Sequence, residues 1–266
     1  MGSSYFYLEF LLSLLTLLSS TSTFTNPAIL ALEYTLVPDA AYPVQLEQAM
    51  AGYRYVLGVM RGRAERVCVA GDSAGGTVVL SLLLRLAELG KNGNVNGNVN
   101  GSGESGSEQD LRPGMAVLIS PWINLHSPTL HNTPSDYLDI SRLHLYALQY
   151  AGPSIPLSSP SISPGKCTDI RKWRAACPRA GFFVMYGSEE VFAPDISKWV
   201  QFLEGGGVDV RAVVEEGGIH AWPVVGLFLG REEEERVRGV RGIVGQIREG
   251  MGGKKEWVEK SVIDLV

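Results

Sequence analysis

Gly71-Asp72-Ser73-Ala74-Gly75-Gly76 is the stretch that decides the fold of this 266-residue chain. A short apolar run precedes it at residues 66–70, and an apolar helical pattern follows it at residues 77–84. Strand, G-x-S-x-G and helix in this order form a nucleophile elbow, a sharp turn that exposes a serine hydroxyl above a parallel sheet. Glycines two residues before and after Ser73 are expected to let the strand and the helix approach without Cβ clashes. The pattern therefore predicts Ser73 as a nucleophile.

The residue after the serine has a predicted role as well. Ala74 would begin the helix, and the first N–H groups of a helix have no acceptor within it. An N–H group in this position can stabilise the oxyanion that forms when the serine attacks a carbonyl group. The alternative is a chance Gly/Ser turn, which the strand before and the helix after the motif disfavour.

A serine nucleophile needs a base, and the chain has four histidines. His220 lies in a Gly-rich loop directly after the β-like run at residues 208–214, where its side chain could reach a neighbouring strand end. We therefore predict His220 as the base. The remaining histidines lie in Pro/Ser-rich or helical surroundings and are expected at the surface or at helix caps: His126, His131 and His144.

The acid that orients the base falls between serine and histidine in the chain order of this fold type. A buried strand is predicted at residues 181–186, and three carboxylates follow it. Glu190 is favoured, because a loop can turn a side chain in this position back toward the sheet edge. Asp195 is the second choice and is otherwise expected to cap the following helix. Glu189 is expected to be solvated.

Strands alternate with helical patterns along the chain, which is typical of a parallel α/β sheet flanked by helices. Helices are predicted at residues 44–61 and 231–249. Five runs are predicted as strands: 27–34, 66–70, 115–120, 181–186 and 208–214.

Four stretches besides the elbow carry a family resemblance: residues 33–43, Ile119-Ser120-Pro121-Trp122, residues 187–195 and His220-Ala221-Trp222-Pro223. With them the chain resembles the hormone-sensitive-lipase-like branch of the α/β-hydrolases, in particular its fungal esterase-type members, over roughly residues 3–249. The resemblance implies esterase or lipase-like hydrolysis of small-molecule carboxylic esters through an acyl-enzyme. It implies Ser73 as nucleophile, Glu190 as acid, His220 as base and the Ala74 N–H in the oxyanion hole.

The chain departs from that family in one respect. The family has a His-Gly-Gly-Gly type loop that supplies most of the oxyanion hole, and this sequence contains no such run. The five predicted strands match the last five of the family's eight, so the first strands are expected to be missing and the chain to be N-terminally truncated. This departure leaves open a catalytically impaired fragment, or a non-enzymatic small-molecule-binding module on the same fold. His220 argues against the binding module.

The predicted organisation is one α/β-hydrolase domain over residues 1–249 and a tail at residues 250–266. Within the domain, the Gly/Asn/Ser-rich residues 91–110 are expected to form a flexible loop insertion. Residues 127–166 are expected to form a cap-like excursion near the active site. Three of its aromatic residues either line a substrate pocket or pack in the core: Tyr137, Tyr146 and Tyr150.

The apolar run at residues 10–18 could be a signal-peptide core or an internal helix. No Lys or Arg precedes it and Glu9 lies at its edge, so we predict an internal helix covered on most sides and a cytoplasmic protein. The run is too short to span a bilayer comfortably. Membrane association is left open, although nothing in the sequence supports it.

The composition excludes several function classes. A net charge of −5 provides no basic surface for nucleic acid. No Cys/His cluster has metal-ligand spacing, so neither a metal nor another cofactor is expected. The three cysteines form no disulfide framework and are expected to be reduced: Cys68, Cys167 and Cys177.

Overall fold

The computed structural model describes residues 5–91 and 110–252. Its centre is a parallel four-stranded sheet with the strand order β1-β2-β3-β4. This confirms the parallel sheet flanked by helices that the alternation of elements predicted. The strands are β1 (Cys68–Asp72), β2 (Met115–Ile119), β3 (Phe182–Gly187) and β4 (Val210–Glu215).

Eight α-helices lie within the described residues, and those packed on the sheet bury both faces of its two central strands, β2 and β3. They are α1 (Leu8–Ser19), α2 (Val44–Val59), α3 (Ala74–Lys91), α4 (Ile140–Ala151), α5 (Ile170–Ala176), α6 (Ala193–Gly205), α7 (Trp222–Leu229) and α8 (Glu233–Met251).

Side chains of β2 and β3 alternate between two hydrophobic cores, because successive residues of a strand point to opposite faces. Leu118 and Val184 pack with α3, α4, α5 and α6 on one face. Val117 and Phe183 pack with α1, α7 and α8 on the other. All residues of β2 and β3 are buried, which explains their continuous apolar runs.

The predicted strand at residues 27–34 is wrong, because these residues form no strand. A strand needs a partner for its backbone N–H and C=O groups, and β1 pairs with no strand on its outer side among the described residues. The segment that follows is tied to α2 by side-chain amides instead. Gln45 Nε2 donates to the carbonyl of Thr35, and the N–H of Thr35 donates to Gln48 Oε1.

Helix α1 is an internal helix, but it is not covered on most sides. One stripe of side chains, Phe10, Leu14 and Leu18, is buried in the core shared with α8. The opposite stripe is open, since Leu8 and Leu12 are about half exposed. The mean hydropathy of the run suggested full burial, whereas its 3.6-residue periodicity gives one buried face. No helix in the described ranges is long and apolar enough to cross a membrane.

Other boundaries differ by small amounts. The last helix, predicted at residues 231–249, begins at Glu233 and continues to Met251. Of the predicted loop insertion, residues 92–109 lie outside the described residues, as do residues 253–266 of the predicted tail. The thiols of Cys68, Cys167 and Cys177 are free, and burial raises the pKa of Cys68 to about 12.

Candidate active site

The turn between β1 and α3 has the geometry of a nucleophile elbow. Ser73 has a φ of +50°, in the left-handed region that a non-glycine residue seldom adopts. A Cβ atom on Gly71 would lie 2.5 Å from the backbone of Gly75, and one on Gly76 would lie 2.7 Å from Pro121 Cβ. A Cβ on Gly75 would meet nothing closer than 3.8 Å. The tight packing therefore requires Gly71 and Gly76, and the predicted requirement for a glycine at position 75 is wrong.

Backbone hydrogen bonds fix Ser73 against the end of β2. Its N–H donates to the carbonyl of Ile119 at 2.9 Å, and its carbonyl accepts the N–H of Trp122 at 2.9 Å. Ala74 is exposed and is the first residue of α3, so its N–H has no acceptor within the helix. The strained nucleophile and this N–H group therefore lie side by side at the end of β1.

Glu190 lies in the loop after β3 and is 1% exposed. Its Oε2 accepts a hydrogen bond from Ser120 Oγ at 2.5 Å and another from the N–H of Gly187 at 3.0 Å. Its Oε1 is also buried but has no hydrogen-bond partner in the described part of the chain. One oxygen of the Glu190 carboxylate is thus held by two hydrogen bonds, and the other can accept a hydrogen bond from a further group.

His220 lies in the loop after β4 and is 3% exposed. Its Nδ1 lies 3.9 Å from Glu190 Oε1, and, across the described residues, neither atom has a hydrogen-bond partner. The imidazole is flanked by the ring of Phe192, with centroids 5.1 Å apart, and by the ring of Tyr137 at 5.9 Å. The predicted acid and base therefore face each other, slightly beyond hydrogen-bond distance.

Ser120 connects Glu190 to the loop that carries His220. While its hydroxyl donates to Glu190, the same oxygen accepts the N–H of Ala221, the residue after His220, at 2.9 Å. Ser120 is fully buried at the end of β2 and has a φ of +45°. In the described ranges, Ser73 Oγ itself makes no hydrogen bond.

Asp72, directly before Ser73, is partly buried, and its carboxyl group has an unusual set of neighbours. Tyr7 Oη donates to its Oδ2 at 2.7 Å. Burial raises the pKa of Asp72, and the hydrogen bond from Tyr7 and the nearby His220 oppose that shift. Burial and the Asp72 charge raise the pKa of Tyr34 to about 12. The phenol of Tyr7 is therefore a hydrogen-bond donor to the carboxyl group next to Ser73.

The alternative acids have other roles. Glu189 is exposed and accepts a hydrogen bond from Ser135 Oγ. Asp195 is buried in the first turn of α6 and does not cap it, which corrects the prediction. It accepts hydrogen bonds from the loop after β2 because that loop packs over the start of α6. The donors are Asn124, Ser127 and Thr129.

The remaining candidates from the sequence lie apart from this site or at its rim. Tyr146 and Tyr150 pack against the core cluster of α3–α6, while Tyr137 is more than half exposed beside His220. Nowhere in the described ranges do three His, Cys, Asp or Glu side chains cluster as metal ligands would. The other histidines are exposed, as expected: His126, His131 and His144.

A family model described as the alpha/beta hydrolase fold matches residues 4–224. The chain belongs to the α/β hydrolase fold family. It is 28% identical over 230 residues to the putative steryl acetyl hydrolase mug81 of Schizosaccharomyces pombe, which covers 82% of this chain and 54% of the relative. It is 37% identical over 65 residues to the hormone-sensitive lipase of Bos taurus, over 23% of this chain and 9% of the relative.

Carboxyl esterase 2 of the fungus Tuber melanosporum has the same fold, with a TM-score of 0.72 and 20% identity over 94% of this chain and 75% of that one. The predicted resemblance to the hormone-sensitive-lipase-like branch is confirmed. The α/β-hydrolase chain spans about half the length of the steryl acetyl hydrolase that it matches.

Proposed function

We propose that this chain is a carboxylic-ester hydrolase that uses Ser73, His220 and Glu190 as a catalytic triad. The observation that carries the proposal is the pair of buried, unpartnered atoms, Glu190 Oε1 and His220 Nδ1, at 3.9 Å. Buried polar atoms without partners are costly, and they are common where a site is prepared for chemistry. The strained Ser73 at the end of β1, in the same parallel sheet, would supply the nucleophile for that pair.

The reaction follows from these placements. His220 takes the hydroxyl proton of Ser73 as its Oγ attacks the ester carbonyl carbon. The tetrahedral oxyanion accepts a hydrogen bond from the N–H of Ala74. His220 then gives the proton to the departing alcohol, and the acyl group stays on Ser73 until water, activated by His220, releases it as the acid. Glu190 orients the imidazole and stabilises its protonated form.

The names of two relatives support an ester substrate with a short acyl group. One matched relative is called a steryl acetyl hydrolase and another an acetyl-hydrolase from Streptomyces hygroscopicus. We therefore propose acetyl esters as the substrate class. The packing of α1 as an internal helix is the basis for proposing a cytoplasmic enzyme.

A catalytically impaired protein is the second candidate, and one observation favours it. The sequence contains no His-Gly-Gly-Gly run, so the Ala74 N–H is the oxyanion donor that the fold provides at the elbow. Loss of a single oxyanion donor typically lowers the rate about 10²–10³-fold. On this alternative, Ser73 remains nucleophilic but turnover is slow.

The two candidates are separated by measuring labelling and turnover on the same protein. A fluorophosphonate probe should label Ser73 in the wild type, and hydrolysis of p-nitrophenyl acetate should be lost in Ser73→Ala, His220→Ala and Glu190→Gln. His131→Ala is the control, because His131 is exposed and its ring nitrogen pairs with the carbonyl of Thr129. Labelling without turnover supports the impaired protein. Activity of Ser73→Ala equal to the wild type would exclude the triad.

A further inference from the structure

Residues 133–137 lie across the loops that carry Glu190 and His220, and we call this stretch the bridging segment. Its side chains donate hydrogen bonds to both loops. Thr133 Oγ1 donates to the carbonyl of Glu189 at 2.6 Å, and Tyr137 Oη donates to the carbonyl of His220 at 3.2 Å. The segment belongs to the excursion after β2, so it is remote in sequence from both loops.

Asp136 is the member of this segment that contacts the two loops with one side chain. Its Oδ2 accepts the N–H of Val191, the residue after Glu190, at 2.9 Å. Its Oδ1 accepts the N–H of His220 at 3.2 Å and that of Tyr137 at 2.9 Å. The carboxylate thus joins the backbone beside the acid to the backbone of the base.

Hydrogen bonds from N–H groups to a carboxylate are stronger than those between neutral groups. The loops also touch each other directly, since the N–H of Glu189 donates to the carbonyl of Gly218 at 3.0 Å. That contact lies two residues before His220 and one before Glu190, so it leaves the final turn of each loop free. Asp136 acts at the catalytic residues themselves, where a shift of about 1 Å can cost about 10²-fold in rate.

We propose that Asp136 is a positioning residue that sets the distance between Glu190 and His220. The inference rests on the proposed function, because it assigns Asp136 to the same triad. Asp136 touches neither the reacting atoms nor the imidazole ring, and it acts only through the backbone of the two loops. Neither its type nor its position in the sequence marks it for this role.

The matched control is Asp139, a carboxylate three residues further along. It caps α4 by accepting the N–H of Arg142 at 3.0 Å, and it also accepts a hydrogen bond from Asn132 Nδ2. In the described part of the chain, no hydrogen bond joins Asp139 to the two loops. Asp139→Ala should lower the melting temperature by a few degrees, as loss of a helix cap does, and leave kcat for p-nitrophenyl acetate unchanged.

Asp136→Ala should lower kcat about 10²-fold and leave KM within about twofold of the wild type, because positioning affects the chemical step more than binding. The kcat of Asp136→Asn should lie between those of the wild type and Asp136→Ala, since the amide oxygen can still accept one of the N–H groups of Val191 and His220. If Asp136→Ala does not fold, Asp136→Asn alone tests the proposal. Equal kcat in wild type and both Asp136 variants, or an equal loss in Asp139→Ala, would overturn the proposal.

Hydrogen exchange decides the same question without activity. Of the amides of Val191 and His220, the one that loses its acceptor should exchange at least tenfold faster in Asp136→Asn than in the wild type, and both should exchange at the wild-type rate in Asp139→Ala. Unchanged exchange in Asp136→Asn overturns the positioning role. A wild type that neither binds the fluorophosphonate probe nor hydrolyses the ester contradicts the proposed function, while the exchange rates still test the link between the loops.

Discussion

Tyr7 and Asp72, which are 65 residues apart in the chain, are joined by a hydrogen bond of 2.7 Å from the phenol to the carboxylate. Tyr7 lies just before α1, and Asp72 is the last residue of β1 before the nucleophile. The bond therefore ties the N-terminal helix to the nucleophile elbow.

Tyr7→Phe should lower the free energy of unfolding by about 0.5–1.5 kcal/mol, because it removes a hydrogen bond to a partly buried carboxyl group. Tyr5→Phe is the control, since Tyr5 is 84% exposed two residues earlier. Urea denaturation followed by circular dichroism measures both. Equal stability of the two variants would show that the Tyr7–Asp72 bond contributes nothing to folding.

Asp72→Asn should gain stability relative to the wild type as the pH rises. Burial raises the pKa of Asp72, so the folded protein binds the proton more tightly than the unfolded chain. Ionisation above the unfolded pKa of about 3.9 therefore costs folding free energy, and asparagine avoids that cost. The difference in unfolding free energy, variant minus wild type, should therefore increase as the pH rises above about 4.

For Asp139→Asn, the difference in unfolding free energy between variant and wild type should change with pH in the opposite direction. The hydrogen bond from the N–H of Arg142 lowers the pKa of Asp139, so its stabilising effect is present at neutral pH and lost as the pH falls through the folded pKa. The variant-minus-wild-type difference should therefore decrease as the pH rises. Two differences with the same slope would contradict the environments described for these carboxylates.

Ser120→Ala should lower kcat about 10- to 10²-fold. It removes the hydrogen bond that Ser120 Oγ donates to Glu190, and it leaves the N–H of Ala221 without its acceptor. Steady-state hydrolysis of p-nitrophenyl acetate provides the measurement. Ser161→Ala is the control, since its hydroxyl pairs with Ser159 at the surface. A Ser120→Ala enzyme with wild-type kcat would mean that Glu190 needs no support from β2.

Gly76→Ala should destabilise the protein by about 1–3 kcal/mol, since the new Cβ would lie 2.7 Å from Pro121 Cβ and force the elbow apart from β2. Gly90→Ala, in the same helix, meets nothing within 4 Å and should be stabilising by up to about 1 kcal/mol. Thermal melts of both variants measure the contrast. Equal melting temperatures would be incompatible with close packing at the elbow.

The elbow, Glu190 and His220 could be predicted because each depends on local pattern and chain order. The strand before the elbow, the loop after β3 and the Gly-rich loop after β4 are each readable within about ten residues of sequence. Ser120, Asp136 and Tyr7 could not be predicted in the same way, because distant segments bring them to their partners. Nothing near Asp136 distinguishes it from Asp139.

The errors have the same origin. Residues 27–34 have the composition of a strand, but pairing needs a neighbour that sequence pattern alone does not supply. Asp195 has the sequence context of a helix cap, yet the loop after β2 covers it and uses it as an acceptor. In both cases tertiary contacts overrode a local preference.

The proposed nucleophile sits on the end strand of the sheet. Among the described strands, β1 is hydrogen-bonded along β2 alone, whereas β2 and β3 each have two neighbours. A strand that is hydrogen-bonded to one neighbouring strand opens at a lower free-energy cost than a strand that is hydrogen-bonded on both sides. Warming should therefore release the turn at Ser73 before the helices melt, and thermal inactivation should precede the loss of helical ellipticity.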